Sequence, residues 1–386
     1  MRKTAVSQWA ISGLALYSLP AAVGALTQIA AAQSVAASVL ALPQTANDIV
    51  WDNTRSMFFV SVGTTVEMIN PETAQVVSTI PIGNLANQIA VSGDGQFLYV
   101  SVDSTAFPDS TLGTINRYQI QSQSLDLQIP LGQNTGGNTL RDALALVVLP
   151  GAPSSILVAT TDSQLIVFDG AVARPGKASL NARSLYVRPS DGAIFGLGDG
   201  PQIYRLNISS NGVAAAQPVI LNGIWDNGSI TWNGNLIVDT NNFVAPIFDL
   251  GAGATTGALA LPPFNPSSTG ACALAADASG TSAYAFQFQY QFEASIVTLV
   301  QYSLTNFLPI ASAQLTGIPT DFPTLSNLCM SAVATWGTNG IAIVDNEASV
   351  SSFCMRPVSR RLLQRPHPRL PGTHRESFIS RFRPTI

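Results

Sequence analysis

The chain contains almost no histidine. Its two histidines, His367 and His374, both follow Met355, so residues 1–355 contain none. A Ser-His-Asp or Cys-His arrangement, a histidine general base and a histidine metal ligand are therefore excluded from that part of the chain. The glycine-rich stretches "NTGGN", "GLGDG" and "GAGATTG" also lack the strand, G-x-G-x-x-G, helix order of a dinucleotide site. The sequence predicts no cofactor and no catalytic residues.

Positive charge is scarce before the C-terminal tail. Charged residues make up 10% of the chain, against about a quarter in ordinary soluble domains. Residues 4–355, here called the body, contain eight Lys or Arg and 21 Asp or Glu, a net charge of −13. No Lys or Arg lies between Leu206 and Met355. Because phosphate binding requires Lys or Arg, nucleic acid is excluded as a partner of the body.

Cysteine is rare as well. The three residues Cys272, Cys329 and Cys354 have no metal-ligand spacing such as Cys-x2-Cys. Their odd number and the apolar neighbours in "TGACALAA" and "NLCMSA" favour buried free thiols. In an oxidising compartment, a disulfide between Cys272 and Cys329 is the alternative.

The N-terminal segment has the pattern of an export signal. Two basic residues follow the first Met, and an uncharged apolar run continues to Ala32. The small residues Ala30 and Ala32 match a signal-peptidase site, so residues 1–32 are predicted to be cleaved as a signal peptide. A retained membrane anchor is the alternative, because the run is long enough to span a bilayer. After cleavage we expect an extracellular or periplasmic protein with no membrane span.

One segment occurs twice at a spacing of 40 residues. "ANDIVWDNTRSMFFVSV" (46–62) and "ANQIAVSGDGQFLYVSV" (86–102) align without a gap, and each predicts a strand, a polar turn and a strand. The segments after them, "VEMINPETAQVVSTIPIG" (66–83) and "INRYQIQSQSLDLQIPLG" (115–132), repeat the same order. Four short strands in about 40 to 50 residues are typical of a propeller blade.

Less regular copies of this unit continue along the chain. Seven units between Ala46 and Phe353 average 44 residues, a length that suits propeller blades. The seventh unit lacks an outermost strand, so we expect residues 35–42 to complete it and to cover its exposed edge. The predicted fold class is all-β. It is a seven-bladed β-propeller of four-stranded antiparallel blades over residues 33–355, closed by an N-terminal strand, with six or eight blades as alternatives.

The first two units resemble a known repeat. "INPETAQVVSTIPIGNLANQIAVSGDGQFLYVSV" is similar to the YVTN-type repeat of exported bacterial β-propellers, which reads I-P-V-G and then I-A-V-S-x-D-G-x-x-L-Y-V-T-N. The matching positions are 80–83, 89–92, 94–95 and 98–100. The segment "TWGTNGIAI", which begins at Thr335, also resembles the last blade of large secreted members. Ala86 in place of Pro, and Ser101-Val102 in place of Thr-Asn, depart from the repeat. The resemblance implies residues that build blades and no catalytic signature.

Acidic and aromatic residues supply the candidate ligand-binding positions. The loop "DSTAFPDSTLG" contains Asp103 and Asp109, which we consider for calcium or partner binding, although it lacks a dense Asp-x-Asp-x-Asp order. Trp225 and Trp232 in "GIWDNGSITWNG", and Tyr290 in "YAFQFQYQF", offer flat rings with polar tips that suit a carbohydrate or peptide. Packing between blades is the alternative for these aromatic residues.

Further aspartates recur near the predicted turns and strand starts. They are Asp48, Asp52, Asp94, Asp142, Asp191, Asp277 and Asp345. Turn capping is the favoured interpretation of these residues, and acid-base chemistry or calcium binding at a channel mouth is the alternative.

Two classes of function remain open. A secreted, non-enzymatic and monomeric scaffold that binds a protein or carbohydrate is favoured, because propellers offer broad loop faces and no catalytic residues are visible. The alternative is a lactonase-like propeller hydrolase or lyase that uses carboxylates and a bound divalent metal.

The last segment differs in composition from the body. Residues 356–386 contain eight Arg and both histidines, and they lack the alternating pattern of the strands. We predict a basic, disordered arm that folds back onto the acidic body or binds an anionic surface. A misread frame that removes the true last strand is the alternative. In neither case do we expect a stable fold for this segment.

Overall fold

The chain folds into β-strands throughout the part that is described. The computed structural model describes residues 33–34, 37–42, 46–102, 113–133, 141–188, 190–198, 202–220, 230–233, 235–238, 244–249, 254–260, 269–276, 281–291, 294–315, 332–336, 340–344, 353–357 and 377–381. Within these residues 31 strands form seven sheets, and there is no helix. A helix long and apolar enough to cross a membrane is therefore also absent from these residues.

Sheets 1 and 2 contain the repeated segments. Two short strands precede them, β1 (Gln33–Ser34) and β2 (Ala37–Leu42). Sheet 1 consists of β3 (Asp48–Asp52), β4 (Met57–Val62), β5 (Thr65–Asn70) and β6 (Gln75–Pro81). Sheet 2 consists of β7 (Ala86–Val91), β8 (Phe97–Val102), β9 (Thr114–Gln119) and β10 (Ser124–Pro130). In both sheets each strand pairs antiparallel with the next one in sequence.

Sheets 3 and 4 follow the same strand order. Sheet 3 consists of β11 (Ala143–Leu149), β12 (Ala152–Thr160), β13 (Gln164–Asp169), β14 (Val172–Ala173) and β15 (Ala178–Ser179). Its last two strands, β14 and β15, are short and both pair with β13. Together they occupy the position of the fourth strand in the sheet. Sheet 4 consists of β16 (Ser184–Val187), β17 (Ile194–Leu197), β18 (Gln202–Ser209) and β19 (Gly212–Ile220).

The remaining strands form sheets 5, 6 and 7. Sheet 5 consists of β20 (Ile230–Asn233), β21 (Asn235–Val238), β22 (Val244–Asp249) and β23 (Ala254–Ala260). Sheet 6 consists of β24 (Thr269–Ala276), β25 (Ser282–Gln291), β26 (Ala294–Ser303) and β27 (Pro309–Leu315), and β1 adds to β27 in parallel. Sheet 7 consists of β28 (Ala332–Trp336), β29 (Gly340–Val344), β30 (Phe353–Pro357), β31 (Ser377–Arg381) and β2.

The 40-residue repeat corresponds to the same hairpin in sheets 1 and 2. Ile49 pairs with Val60 in the first hairpin, and Ile89 pairs with Val100 in the second. The turn "SGDGQ" between β7 and β8 requires a residue with positive φ, which Gly95 provides at 68°. The predicted order of strand, polar turn and strand is therefore confirmed for both copies.

A shift of register recurs between the third and fourth strands. It lies between Met68 and Ile69 in sheet 1 and between Leu125 and Leu127 in sheet 2. Sheets 4, 5 and 6 have a shift in the same strand pair. Such bulges bend a strand and increase its twist. The structural unit thus continues into sheets whose sequences differ from those of sheets 1 and 2.

Consecutive sheets pack against each other through apolar side chains. The cluster between sheets 1 and 2 includes Phe59, Ile80, Leu98 and Val100, each fully buried. Similar clusters join sheet 2 to sheet 3, sheet 3 to sheet 4, and sheet 5 to sheet 6. Strand β8 buries all six of its residues, which explains its continuous apolar run.

The first strands of most successive sheets are neighbours. β3 lies beside β7, β7 beside β11, and β11 beside β16. Later in the chain β20 lies beside β24, and β24 lies beside β28. Strand β28 also lies beside β3, so the last sheet contacts the first one.

Both chain ends contribute to sheet 7. Ala37–Leu42 pairs antiparallel with Phe353–Pro357, and Ser377–Arg381 pairs with the same N-terminal strand. The strand Ser377–Arg381 lies in the basic tail, where the sequence predicts no stable fold. The other residues after Pro357 lie outside the described residues, so the expectation for them stays a prediction.

The cysteines fall in separate places. Cys272 lies in β24 of sheet 6, and Cys354 lies in β30 of sheet 7. Cys329 lies outside the described residues, so a disulfide with Cys272 also stays a prediction.

Candidate functional site

The two edges of the sheets differ in the length of their connections. In each sheet the first and third strands begin at the same edge. We call this edge the long-connection edge, and we call the opposite edge the short-turn edge. Between β3 and β30 every connection of eight or more residues joins two strand ends that lie at the long-connection edge. These connections are 103–113, 131–142, 221–229, 261–268, 316–331 and 345–352. At the short-turn edge the longest connection has six residues, 188–193.

Negative charge is concentrated in the same connections. Between β3 and β30, the segments that join strands at the long-connection edge contain eleven Asp or Glu and two Arg. The segments at the short-turn edge contain four Asp or Glu and two Arg. Long loops on a rigid scaffold are the usual carriers of binding function. The long-connection edge is therefore the candidate functional site.

Asp48 occupies the start of β3 at this edge and connects two sheets. Its Oδ2 accepts a hydrogen bond from the backbone N of Ile89 at 2.9 Å, and its Oδ1 accepts one from the backbone N of Ile49 at 2.8 Å. The β7–β8 ladder shifts register between Ala86 and Ile89, which frees backbone groups in that part of β7. The Asp48 carboxylate satisfies one of them.

Other polar side chains from sheet 1 act in the same way. The Nδ2 of Asn47 donates to the backbone O of Ala86 at 2.6 Å. The Oγ of Ser61 donates to the backbone O of Asn87 at 2.7 Å. We call the side chains of Asn47, Asp48 and Ser61 the clip. All three form hydrogen bonds with the backbone at the start of β7. The clip fixes the spacing of sheets 1 and 2 at the long-connection edge.

Burial changes the acidity of two carboxyl groups in sheet 1. Burial raises the pKa of Asp48 from 3.8 to about 7, and the two backbone N–H donors oppose this rise only in part. Burial also raises the pKa of Glu67, which is 5% exposed on β5. Because both oxygens of Asp48 accept backbone hydrogen bonds, its position indicates a structural role.

Turn capping is confirmed for three of the predicted aspartates. Asp94 accepts hydrogen bonds from the Oγ of Ser92 and the backbone N of Gln96, and Asp191 accepts one from the backbone N of Ala193. The third is Asp52, which is 2% exposed and accepts hydrogen bonds from the backbone N of Thr54 and of Arg55. The same arginine donates from Nη1 to the backbone O of Gly95, 2.6 Å away in sheet 2. The two short turns are thereby connected across the sheets.

Several positive charges of the body are paired with nearby aspartates. Among the residues that the structure describes, five arginines form ion pairs with Asp: Arg55, Arg117, Arg141, Arg174 and Arg188. The Arg174–Asp169 pair lowers the pKa of Asp169 to about 2 through the hydrogen bonds from the guanidinium. Four of these pairs lie within one sheet or its turns, and the fifth joins Arg141 of the connection 131–142 to Asp162 of the β12–β13 turn.

The predicted ligand-binding residues do not form one cluster. Asp103, Asp109 and Trp225 lie outside the described residues, in connections whose flanking strands end at the long-connection edge. The backbone of Tyr290 pairs with Ser295 next to the β25–β26 turn at that edge. The backbone of Trp232 pairs with Leu236 next to the β20–β21 turn at the short-turn edge. Trp232 is therefore separated from Tyr290 by the length of a sheet.

A metal site requires several ligand side chains close together. Among the residues that the structure describes, no group of three or more His, Cys, Asp or Glu could hold a metal ion. Asp103 and Asp109 are not among them, so calcium binding by their loop stays a prediction.

Comparison with known proteins gives no family for this chain. No protein-family model matches it, and no curated protein matches it either.

Proposed function

We propose that the chain is an exported, seven-bladed β-propeller that binds a partner through its long-connection edge. The seven sheets are its blades, and the neighbouring first strands are the inner ring. The contact of β28 with β3 supports a closed ring, and the pairing of β2 with β30 supports closure by the two chain ends. Closure of this kind removes exposed edges from the first and last sheets.

The observation that carries the proposed binding role is the asymmetry of the connections. Between β3 and β30, six connections of eight or more residues join strand ends at one edge, and no connection of this length joins strand ends at the other. Short turns suffice to join strands, so the extra residues at one edge are not needed for the fold. We assign them to ligand contact, as in other scaffolds with loops on one face.

The charge of this edge indicates the chemistry of the partner. Eleven acidic and two basic side chains repel nucleic acid and anionic lipid, and they attract a Lys- or Arg-rich surface. We therefore propose a protein or peptide partner with positive charge. A neutral carbohydrate would not depend on this charge, and salt dependence distinguishes the two.

The first prediction compares charge removal at the two edges. Asp103→Asn/Asp109→Asn is expected to weaken binding of a fluorescent oligo-arginine peptide by about two- to thirtyfold at low salt, because each of two surface ion pairs contributes about 0.2–1 kcal/mol. The matched control, Glu72→Gln/Asp277→Asn, removes the same charge at the short-turn edge and should change the affinity little. Fluorescence anisotropy at low and high salt measures both. Equal weakening by the two variants, or binding that is insensitive to salt, would contradict the proposal.

A further inference from the structure

The large apolar side chains that are exposed among the described residues share one place in the fold. Each lies within two residues of the start of a fourth strand. Fourth strands begin at the short-turn edge, so these side chains lie at the outer end of that edge, farthest from the first strands. We call this set the apolar corner. It consists of Val76, Val77, Leu125, Val172, Leu308 and Ile310.

The apolar corner extends over neighbouring sheets. Its members belong to sheets 1, 2, 3 and 6. Contacts between first strands link sheet 6 to sheet 7, sheet 7 to sheet 1, and sheets 1, 2 and 3 to each other in order. Single apolar residues scattered over a surface are normal. A position that recurs on neighbouring sheets instead forms one shared surface.

The turns beside the apolar corner are almost free of charge. Five turns between third and fourth strands are described, namely 71–74, 120–123, 170–171, 210–211 and 304–308. Glu72 is the single charged residue in these five turns. On the neighbouring strands, Asp126 is paired with Arg117. Asp169 is likewise paired with Arg174. This surface therefore presents little net charge to a partner.

A lipid surface does not fit this composition. Proteins that lie on lipid interfaces use Trp and Tyr at the headgroup level, and Lys or Arg to bind anionic lipids. The five turns contain none of these four residue types. A cationic partner does not fit either, because the turns offer one carboxylate in place of the eleven at the opposite edge.

A second copy of this chain does fit. In a two-fold dimer the same patch lies on both sides of the interface, so an apolar patch with little charge meets its equivalent without repulsion. Between β3 and β30 the connections at the short-turn edge have at most six residues, which permits close approach of two copies. We propose that two copies associate through their apolar corners, with the short-turn edges face to face, in place of the monomer expected from the sequence.

This dimer would leave both long-connection edges accessible. They lie at the opposite ends of the same strands, so they point away from the interface. If the proposed function holds, the dimer carries two acidic edges. A partner with several cationic sites would then be bound more tightly by the dimer than by one copy, because the second contact is intramolecular.

Sedimentation velocity of the purified exported chain tests the association. We expect a dimer at micromolar concentrations, the weak end of the range for interfaces of ordinary size. Val77→Glu/Leu125→Glu should weaken association at least about a hundredfold, because it places like charges on both sides of the interface. The matched control, Thr64→Glu/Gln133→Glu, adds the same charge to exposed residues of sheets 1 and 2 near the long-connection edge and should leave association unchanged.

Several outcomes of this experiment would overturn the proposal. They are a monomer at every concentration, a dimer that survives Val77→Glu/Leu125→Glu, and a dimer that is lost only in the control. If the charged variant does not fold, Val77→Thr/Leu125→Gln removes apolar surface without adding charge and should weaken association at least about tenfold. Ammonium sulfate should strengthen association of the unmodified chain, since it favours apolar burial. Weaker association in this salt would also contradict the proposal.

Two further measurements separate the dimer from a lipid partner and from the proposed function. Phosphatidylcholine vesicles should float without the chain. Co-flotation that Val77→Glu/Leu125→Glu abolishes would mean that lipid covers the apolar corner, and would overturn the dimer. The same variant should bind the oligo-arginine peptide as well as the unmodified chain does, within about twofold per copy. A dimer without oligo-arginine binding would refute the proposed function and leave the dimer intact.

Discussion

Asp48→Asn is expected to flatten the pH dependence of stability of this protein. The carboxyl group has a pKa of 3.8 when exposed and about 7 in the fold. Below pH 4 it is protonated in both the folded and the unfolded chain. Between pH 4 and pH 7 the unfolded chain loses this proton while the folded chain retains it, so the free energy of unfolding falls as pH rises. A shift of this size corresponds to about 4 kcal/mol lost by pH 8.

Asparagine keeps an acceptor for the buried N–H of Ile89 but carries no charge. The Asn variant should therefore gain stability relative to the parent chain as pH rises from 4 to 8, by up to about 4 kcal/mol. Buried Glu67 contributes a slope of the same sign, so some pH dependence should remain. Urea unfolding at a series of pH values measures the effect.

Two other variants of acidic residues serve as controls. Glu72→Gln removes one negative charge at the short-turn edge, away from the clip, and so controls for the loss of charge alone. Asp48→Ala removes both acceptor oxygens and should lower stability at pH 4 by about 1–3 kcal/mol, because it leaves a buried N–H unpaired. An Asp48→Asn chain with the parent slope would show that the carboxyl is not buried in the clip.

Leu98→Ala is expected to have the largest effect of any single substitution considered in sheets 1 and 2. Leu98 is fully buried in the cluster between these sheets. Truncating such a leucine removes apolar contacts and leaves a cavity, which costs about 2–5 kcal/mol. Chemical denaturation should therefore show a clearly lower midpoint with an unchanged slope.

Leu125→Ala is the matched control for this experiment. Leu125 lies on β10 of the same sheet but is 48% exposed. The same truncation there should cost less than about 1 kcal/mol, since less apolar surface returns to water. Similar losses at Leu98 and Leu125 would mean that sheets 1 and 2 do not pack as described.

The strand order of sheets 1 and 2 follows from local sequence. Alternating and continuous apolar runs, separated by a turn with Gly95, are enough to predict both hairpins and their spacing. The bulges in the outer strand pairs could not be predicted in this way. A bulge depends on how two strands pair, and the third and fourth strands of sheets 4, 5 and 6 share little sequence with those of sheets 1 and 2.

The features of the candidate site depend on longer-range geometry. Asp48 resembles the turn-capping aspartates in sequence, yet one of its partners is the backbone N of Ile89, 41 residues away. The edge at which a connection joins two strands depends on the direction of those strands. Tyr290 and Trp232 therefore lie near opposite edges, although the sequence suggested ligand binding for both. Likewise, the strand Ser377–Arg381 has a basic, proline-rich context that favours disorder, and only its pairing partners reveal it.

The central claim is a closed ring of seven blades, and a crystal structure of residues 33–386 tests it most directly. We predict seven sheets around one axis, with their first strands on the inside. Ala37–Leu42 should be the outermost strand of the blade that begins with Ala332–Trp336. An arrangement of six or eight blades, or an open arc in which the first and last sheets do not touch, would contradict the account.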